Sequence, residues 1–587
     1  MKLNILNKIN SPKDLKKLNK EELLTLAGEI REIIINKVSQ TGGHFGPNLG
    51  MVEATIALHY VFNSPVDKIV YDVSHQSYPH KILTGRKHAF LNPNEYNSIT
   101  GYTSQLESEH DFFRIGHTST SISLACGLAK ARDVKGRKEN IIAVIGDGSL
   151  SGGEAYEGLN NASASEKNII IVVNDNDISI ANNYGGLYKN LANLRQTEGK
   201  SEDNFFKSLG FEYHYIKDGH DLDSLIDIFT KVKDTDNPVV IHMHTIKGKG
   251  YEDAELNKEA FHWVMPFDLE TKKPLYVSSN ESYNQITDDY LCKKASKDKT
   301  IVAITAGTPM SVGLNKFRHK FKDQFLDVGI AEEHAIALAS GMASQGAKPV
   351  ASFFNSFIQR TYDQLSQDLA INNNPALILV HGNGISGGDI THLGIFDIPL
   401  ISNIPNIVYL APTNKEEYLS MMEWAIEQDK HPVAIRVPGN KVISTKEKVK
   451  ADFSNLNTYK KVIEGNKVAI IALGSFYQLG EKVHAKLKEE LNINATLINP
   501  RFITGIDENM LNELLTDHKI VITLEDGILD GGFGEKISRF YGDKDMKVLN
   551  FGATKEFTDK ADINELYNRY HLTDKLIVLD IKNALNK

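Results

Sequence analysis

Asp147 and Asn176 have the residue types and the spacing to do chemistry together. Asp147 sits in Gly146-Asp147-Gly148, directly after an apolar run at 141–145. Asn176 closes Asn174-Asp175-Asn176 after a second run at 169–173. Both runs are β-branched and unbroken, the pattern of buried parallel strands. A helical segment between them makes a βαβ unit. In such a unit both turns lie at the carboxyl edge of the sheet, side by side, where open α/β sheets bind ligands. A carboxylate, an amide oxygen and a nearby backbone carbonyl suit a hard cation such as Mg²⁺, which takes its other ligands from a diphosphate. Two ordinary βα turns with helix-capping Asp and Asn are the plainer reading of the same residues.

Other stretches carry polar groups in turn-like settings. His44 lies in the glycine-rich 42–53, His75 and His80 in 71–86, and His117 opens 116–123, which offers Ser119 and Ser121 ahead of an Ala/Gly-rich helix. Hydroxyls and backbone N–H groups at a helix start suit phosphate oxygens. Asn19 with Glu22 forms a capping box for a helix with Leu23, Leu26, Ala27, Ile30, Ile33, Ile34 and Val38 on one stripe. Further strands are expected at 239–243, 301–305, 377–380, 468–473, 495–498, 520–524 and 548–550. The stretches 268–299 and 441–461 read as polar linkers.

A chain of 587 residues should hold several domains. With 41% apolar and 24% charged residues it has the composition of a soluble globular protein, and no run is long enough to span a membrane. A formal charge of −9 argues against a nucleic-acid surface. Two cysteines, Cys126 and Cys292, give neither a disulfide framework nor a metal cluster. They fit a reducing compartment, and the first twenty residues carry no secretory h-region, so a cytoplasmic location is expected.

The G-D-G and N-D-N pair resembles the thiamine diphosphate motif. With G-H-F, D-V-x-H-Q-x-Y-P-H-K and G-H-x-S-T-S-I-S, the chain resembles the 1-deoxy-D-xylulose-5-phosphate synthase family of transketolase-like enzymes. The resemblance implies an α/β fold of three domains, each a mostly parallel sheet flanked by helices. They are a diphosphate- and Mg²⁺-binding domain at 1–290, an aminopyrimidine-binding domain at 296–445 and a transketolase C-terminal domain at 460–587. It implies Mg²⁺ on Asp147, Asn176 and the carbonyl of Ile178, and thiamine diphosphate against His75, His117, Ser119, Ser121, Gly148, Ser149 and Asn176.

Lys247, in Lys247-Gly248-Lys249-Gly250-Tyr251, resembles the family lysine near the diphosphate; a solvated loop charge is its other reading. Glu332, in 325–341, matches the glutamate that bonds N1′ of the aminopyrimidine, where a partly buried carboxyl of raised pKa can relay a proton. Phe357 would stack on that ring. Its other reading is a core residue. His44 and His392 would move protons, with His75 and His262 in support. Arg360, Asp389, His44 and His392 would face substrate. The implied partners are pyruvate, an aldehyde acceptor and a second copy of the chain, and the implied product feeds isoprenoid and thiamine synthesis.

Three departures stand out. The segment near 183–217 is shorter than the family pattern by about thirty residues, a loss that falls on surface-type chain. The arginine of D-R-A-G is Gly382, and the second arginine of R-Y-P-R-G-N is Gly439. Those two arginines are expected to clamp the phosphate of glyceraldehyde 3-phosphate, a task for charged forks worth about 1.5–3 kcal/mol each. Lys441, Arg360 and His392 are candidate replacements. The loss leaves open an enzyme with another aldehyde acceptor, and a silent cofactor-binding relative is a further alternative.

Overall fold

The structure, a computed structural model, describes residues 3–586 except 166, 182, 277–279, 448 and 450. The chain forms two compact units, Met1–Ser279 with Gly329–Ala331, and Asn280–Val328 with Glu332–Lys587.

The first unit is built on five parallel strands: β2 (Lys68–Tyr71), β3 (Ile141–Gly146), β4 (Ile169–Asp175), β5 (Glu212–Ile216) and β6 (Pro238–His244), in the order β2-β3-β4-β6-β5. Every residue of β4 is buried, as a strand covered by helices on both faces requires. The expected helix runs Lys20–Thr41 with the Asn19/Glu22 capping box formed, and its whole apolar stripe is buried. A short antiparallel ribbon of β1 (Gly43–His44) and β7 (Trp263–Val264) pairs His44 with Trp263.

The second unit holds two sheets. The six-stranded one is wholly parallel: β8 (Ile301–Thr305), β9 (Phe325–Asp327), β10 (Lys348–Phe354), β11 (Leu377–Asn383), β12 (Val408–Leu410) and β13 (Val433–Pro438), in the order β12-β13-β11-β10-β8-β9. The other contains β14 (Lys460–Ile463), β15 (Lys467–Ala472), β16 (Thr496–Asn499), β17 (His518–Ile528) and β18 (Lys547–Ala553), in the order β14-β16-β15-β17-β18, with only β14 antiparallel to its neighbour. The stretch 268–299 is not all linker. Residues Tyr283–Ala295 form a helix capped by Ser282 that buries Tyr283, Ile286 and Leu291, an apolar spacing diluted by the polar residues around it. Residues 277–279 of that stretch lie outside the described residues. Between 441 and 459 the described residues form no helix or strand, as a linker should. No helix among the described residues is long and apolar enough to cross a membrane.

What positions the histidine loops of the first unit is a residue with no signal in the sequence. Asn48 is fully buried. Its amide donates to the carbonyls of His44 (2.9 Å) and His75 (2.8 Å), and its Oδ1 accepts from Tyr78 N (2.8 Å). His75 follows Val73 and Ser74, both at positive φ (58° and 64°), a strained approach that surrounding bonds must hold. Asn48→Ala removes the three hydrogen bonds that tie these loops together. It should cost about 1–3 kcal/mol or more in a thermal or chemical melt and reduce turnover beyond what that loss of stability explains.

Candidate functional site

In the first unit the two polar turns meet as the βαβ reading requires. Gly146 on β3 is in register with Asn174 on β4, and Asp147 N donates to Asn174 O at 3.0 Å. Asp147 is 1% exposed, and its Oδ2 accepts from Asn183 Nδ2 at 2.8 Å. Burial, reinforced by the nearby charge of Asp175, pushes its carboxyl up to about 8. Asp175 differs. Burial would raise it too, but His242 and Arg195 outweigh that and hold it below the usual carboxylate range. His242 Nε2 lies 2.8 Å from its Oδ2, and Arg195 Nη1 reaches both oxygens at 2.8 and 2.6 Å. Asn176 is buried, and its Oδ1 has no hydrogen-bond partner among the described residues. Its carbonyl accepts from Lys258 Nζ at 3.1 Å. Asp177 then turns at φ 65°, and Ile178 follows half-buried.

Lys247 is not a solvated loop charge. It is 3% exposed, and its Nζ donates to Ser179 O (2.6 Å) and meets His262 Nδ1 (2.9 Å). Burial drops its pKa to about 7. A Cβ on Gly46 would lie 3.0 Å from Phe261 O and 3.2 Å from Lys247 Cγ, so the glycine-rich segment carrying His44 closes against the lysine turn only because that position is bare. The rings of His44, His75 and His262 form a cluster with centroids 4.9–5.6 Å apart, and Tyr102 stands 5.6 Å from His44. Burial, then the charge of Lys247, keeps His262 neutral. Lys247 Nζ and His262 Nδ1 share one hydrogen bond, which fixes how the ring stands. His80 stands apart from the cluster, fully buried between His59 (2.8 Å) and Asp111 (2.8 Å), where it is structural.

In the turn at 116–121 two backbone amides are already engaged. Ser119 N and Ser121 N donate to the two oxygens of buried Asp72 at 2.8 and 3.0 Å, and Ser119 Oγ donates to Ser149 O at 2.7 Å. Both serines are fully buried. These amides fix a turn in which Ser119 sits at φ 77° and His117 is half-buried at its head, and the buried Ser121 Oγ has no hydrogen-bond partner among the described residues. Gly148 and Ser149 begin a 3₁₀ turn directly after Asp147.

These residues fit a divalent cation that carries a diphosphate. A buried carboxylate with no cation in hydrogen-bond contact and an unpartnered amide oxygen lie on adjacent strand ends, with a buried ammonium in the same unit. An oxygen-ligated ion would satisfy the first two. No group of three or more His, Cys, Asp or Glu that could hold a metal occurs among the described residues, so an ion here would draw on amide and backbone oxygens, water or the molecule it carries as well.

In the second unit Glu332 opens the helix Glu332–Ala343 and is 3% exposed. Its Oε2 has no hydrogen-bond partner among the described residues, and Arg360 Nη1 stands 3.6 Å away, ion-pair rather than hydrogen-bond distance. Burial pushes its carboxyl up to about 7 against the pull of Arg360. Phe357 is half-buried, edge-on to His392 with centroids 5.6 Å apart. Asp389 Oδ1 accepts from Thr391 N (2.9 Å) and Oγ1 (2.6 Å), and Thr391 Oγ1 lies 2.8 Å from His392 Nδ1. The single hydroxyl proton goes to Asp389, so His392 carries its own proton on Nδ1 and leaves Nε2 with a lone pair. Burial keeps His392 below its usual pKa. Asp389 thus acts on His392 through Thr391.

The two glycine departures have a physical basis. Gly382 sits at φ 75°, and a Cβ there would lie 2.4 Å from the Phe354 ring. A Cβ on Gly439 would lie 2.7 Å from Asn383 O and 3.1 Å from Gly382 C. The two strand ends press backbone to backbone, and neither position admits a long side chain. The remaining Arg436 is 4% exposed. It pairs with Asp397 (Nε to Oδ2, 2.6 Å) and with Asp526, which ties the two sheets of the unit together rather than leaving it for a ligand.

Comparison with known proteins gives a consistent result. A family model for 1-deoxy-D-xylulose-5-phosphate synthase matches residues 6–202 and 198–245. Models for the transketolase pyrimidine-binding and C-terminal domains match 281–443 and 458–577. Proteins named 1-deoxy-D-xylulose-5-phosphate synthase are similar along nearly their whole length. That of Alkaliphilus oremlandii is 41% identical over 99% of this chain and 99% of its own. That of Halothermothrix orenii is 41% identical over 98% and 96%, and that of Caldanaerobacter subterraneus subsp. tengcongensis is 40% identical over 98% and 98%. These alignments span 612–624 positions, more than the 587 residues here, and the first family model breaks at 198–202, inside the segment read as shortened. The chain belongs to the 1-deoxy-D-xylulose-5-phosphate synthase family.

Proposed function

We propose that this protein is a thiamine diphosphate-dependent transferase that decarboxylates pyruvate and joins the remaining two carbons to glyceraldehyde 3-phosphate, giving 1-deoxy-D-xylulose 5-phosphate and CO₂. The observation that carries the reading is the buried, cation-poor Asp147 beside the unpartnered Asn176 Oδ1 at paired strand ends. Asp147, Asn176 and the carbonyl of Ile178 would hold Mg²⁺, with the diphosphate completing its shell. Gly148, Ser149, His117 and Lys247 would meet the diphosphate, and Ser119 and Ser121 would shape the turn beside it.

Thiamine diphosphate, when bound, supplies the nucleophilic carbon and electron sink that both bond changes need. Glu332, poised near pH 7, would hold a proton at the ring nitrogen N1′ and take it back. Phe357 would stack on the ring and Arg360 would fix the Glu332 carboxyl. His392 and His44 would exchange protons with substrate oxygens, with His75 and His262 supporting them. The acceptor phosphate would be gripped by cations other than the arginines at 382 and 439 that this chain lacks. The relatives all carry the synthase's name, and neither another acceptor nor a silent protein gains support from them. A homodimer, a cytoplasmic location, a role in isoprenoid precursor synthesis and domains at 1–290, 296–445 and 460–587 complete the proposal.

Four outcomes are expected. Mg²⁺ with thiamine diphosphate at 100-fold excess over Kd should stabilise the protein by about 2.7 kcal/mol, read as a rise in Tm. Asp147→Asn should abolish that rise while leaving the ligand-free protein about as stable at pH 7, where burial already holds the Asp147 carboxyl in its protonated, uncharged form. For Glu332, the folded carboxyl keeps its proton to about pH 7 while the unfolded one loses it near 4.5, so stability falls as pH rises through that window. Glu332→Gln should abolish turnover and escape that fall, gaining roughly 3 kcal/mol over the parent by pH 8 and nothing at pH 4, as paired melts would show. Finally, glyceraldehyde 3-phosphate should be turned over with higher kcat/KM than D-glyceraldehyde; equal values would overturn the assignment of the acceptor.

A further inference from the structure

The segment that looked like a trimmed surface insert reaches both turns of the metal motif. Its helix, Gly186–Gln196, is anchored by buried Leu191 and Leu194 in the core beneath β3 and β4. From one end, Tyr188 OH donates to the carbonyls of Asp147 (3.2 Å) and Gly148 (3.3 Å), and Asn183 just before the helix donates to Asp147 Oδ2. From the last turn, Arg195 forks. Nη1 binds both oxygens of Asp175, and Nη2 binds Asp177 Oδ1 at 2.6 Å. Asp175 and Asp177 flank Asn176. Asp177 N also returns to Asp175 Oδ1 at 3.1 Å, which closes the left-handed turn. Behind Asp175, His242 Nε2 and then Tyr213 OH on His242 Nδ1 (2.8 Å) complete a buried chain.

We propose that Arg195 is a positioning residue of the metal-binding turn: its guanidinium, spanning Asp175 and Asp177, sets the conformation in which Asn176 and Ile178 present their oxygens. A planar fork that holds two carboxylates at fixed separation does what one charge on a flexible stem does not. Groups that orient metal ligands from one layer out weaken metal affinity about 10–100-fold when removed. The inference rests on the cofactor reading above and deepens it.

The test measures thiamine diphosphate uptake by calorimetry on the full chain across a Mg²⁺ titration. The parent serves as control: a parent that takes up no coenzyme refutes the functional reading itself. With the parent active in binding, Arg195→Gln should raise the Mg²⁺ concentration for half-maximal uptake about 10-fold or more. Excess Mg²⁺ should restore full uptake, which a general loss of structure would not allow. Asp177→Asn, at a side chain 63% exposed, removes one arm of the fork without threatening the fold and should shift the requirement in the same direction by a smaller factor. An unchanged Mg²⁺ requirement in Arg195→Gln, or uptake that excess Mg²⁺ does not restore, overturns the proposal. Should that variant fail to fold, an unchanged requirement in Asp177→Asn overturns it instead.

Discussion

Two carboxylates at the ends of neighbouring buried strands cannot both be charged unless cations come to them. Asp175 is supplied from within the protein by the Arg195 guanidinium, with the His242 ring hydrogen-bonded beside it, whereas no cation is in hydrogen-bond contact with Asp147. That asymmetry organises the first unit. It separates a structural carboxylate from one that awaits an ion, and the surrounding polar chain is arranged to keep the two apart. Asp72 plays the comparable structural part on the next turn, where it accepts two backbone amides. The second unit repeats the principle with one carboxyl: Glu332 is buried deeply enough to stay protonated to about pH 7, with one arginine at ion-pair distance.

The parts legible in the sequence were those with local or periodic signals. The strands ending at Gly146 and Asp175, the capped helix from Lys20 and the helix opening at Glu332 all stand where their patterns place them. The illegible parts are single polar residues whose partners lie far along the chain. Asn48 reaches His75 across 27 positions, Asp72 reaches Ser119 across 47, and Arg195 reaches Asp175 across 20. Such contacts leave no periodicity. Lys247 shows the same limit from the other side: its charge reads as solvent-facing until the fold buries it.

Histidine protonation is decided by neighbours rather than by the rings themselves. Thr391 gives its one proton to Asp389 and so accepts from His392 Nδ1, and Lys247 Nζ holds His262 Nδ1. In each ring a neighbour engages Nδ1, which fixes how the imidazole stands. A group that exchanges protons with a substrate needs that fixed presentation.

The close packing of Gly382 on Gly439 bears on how such a site changes over generations. A guanidinium cannot be put back by one codon change at either place, because the Phe354 ring and the opposing peptide already fill the room. An arginine there would require a smaller residue at 354 and a shifted loop before the new arm could be tolerated. The change therefore behaves as a ratchet, and lineages that carry it would be expected to adapt their grip on the substrate elsewhere rather than revert.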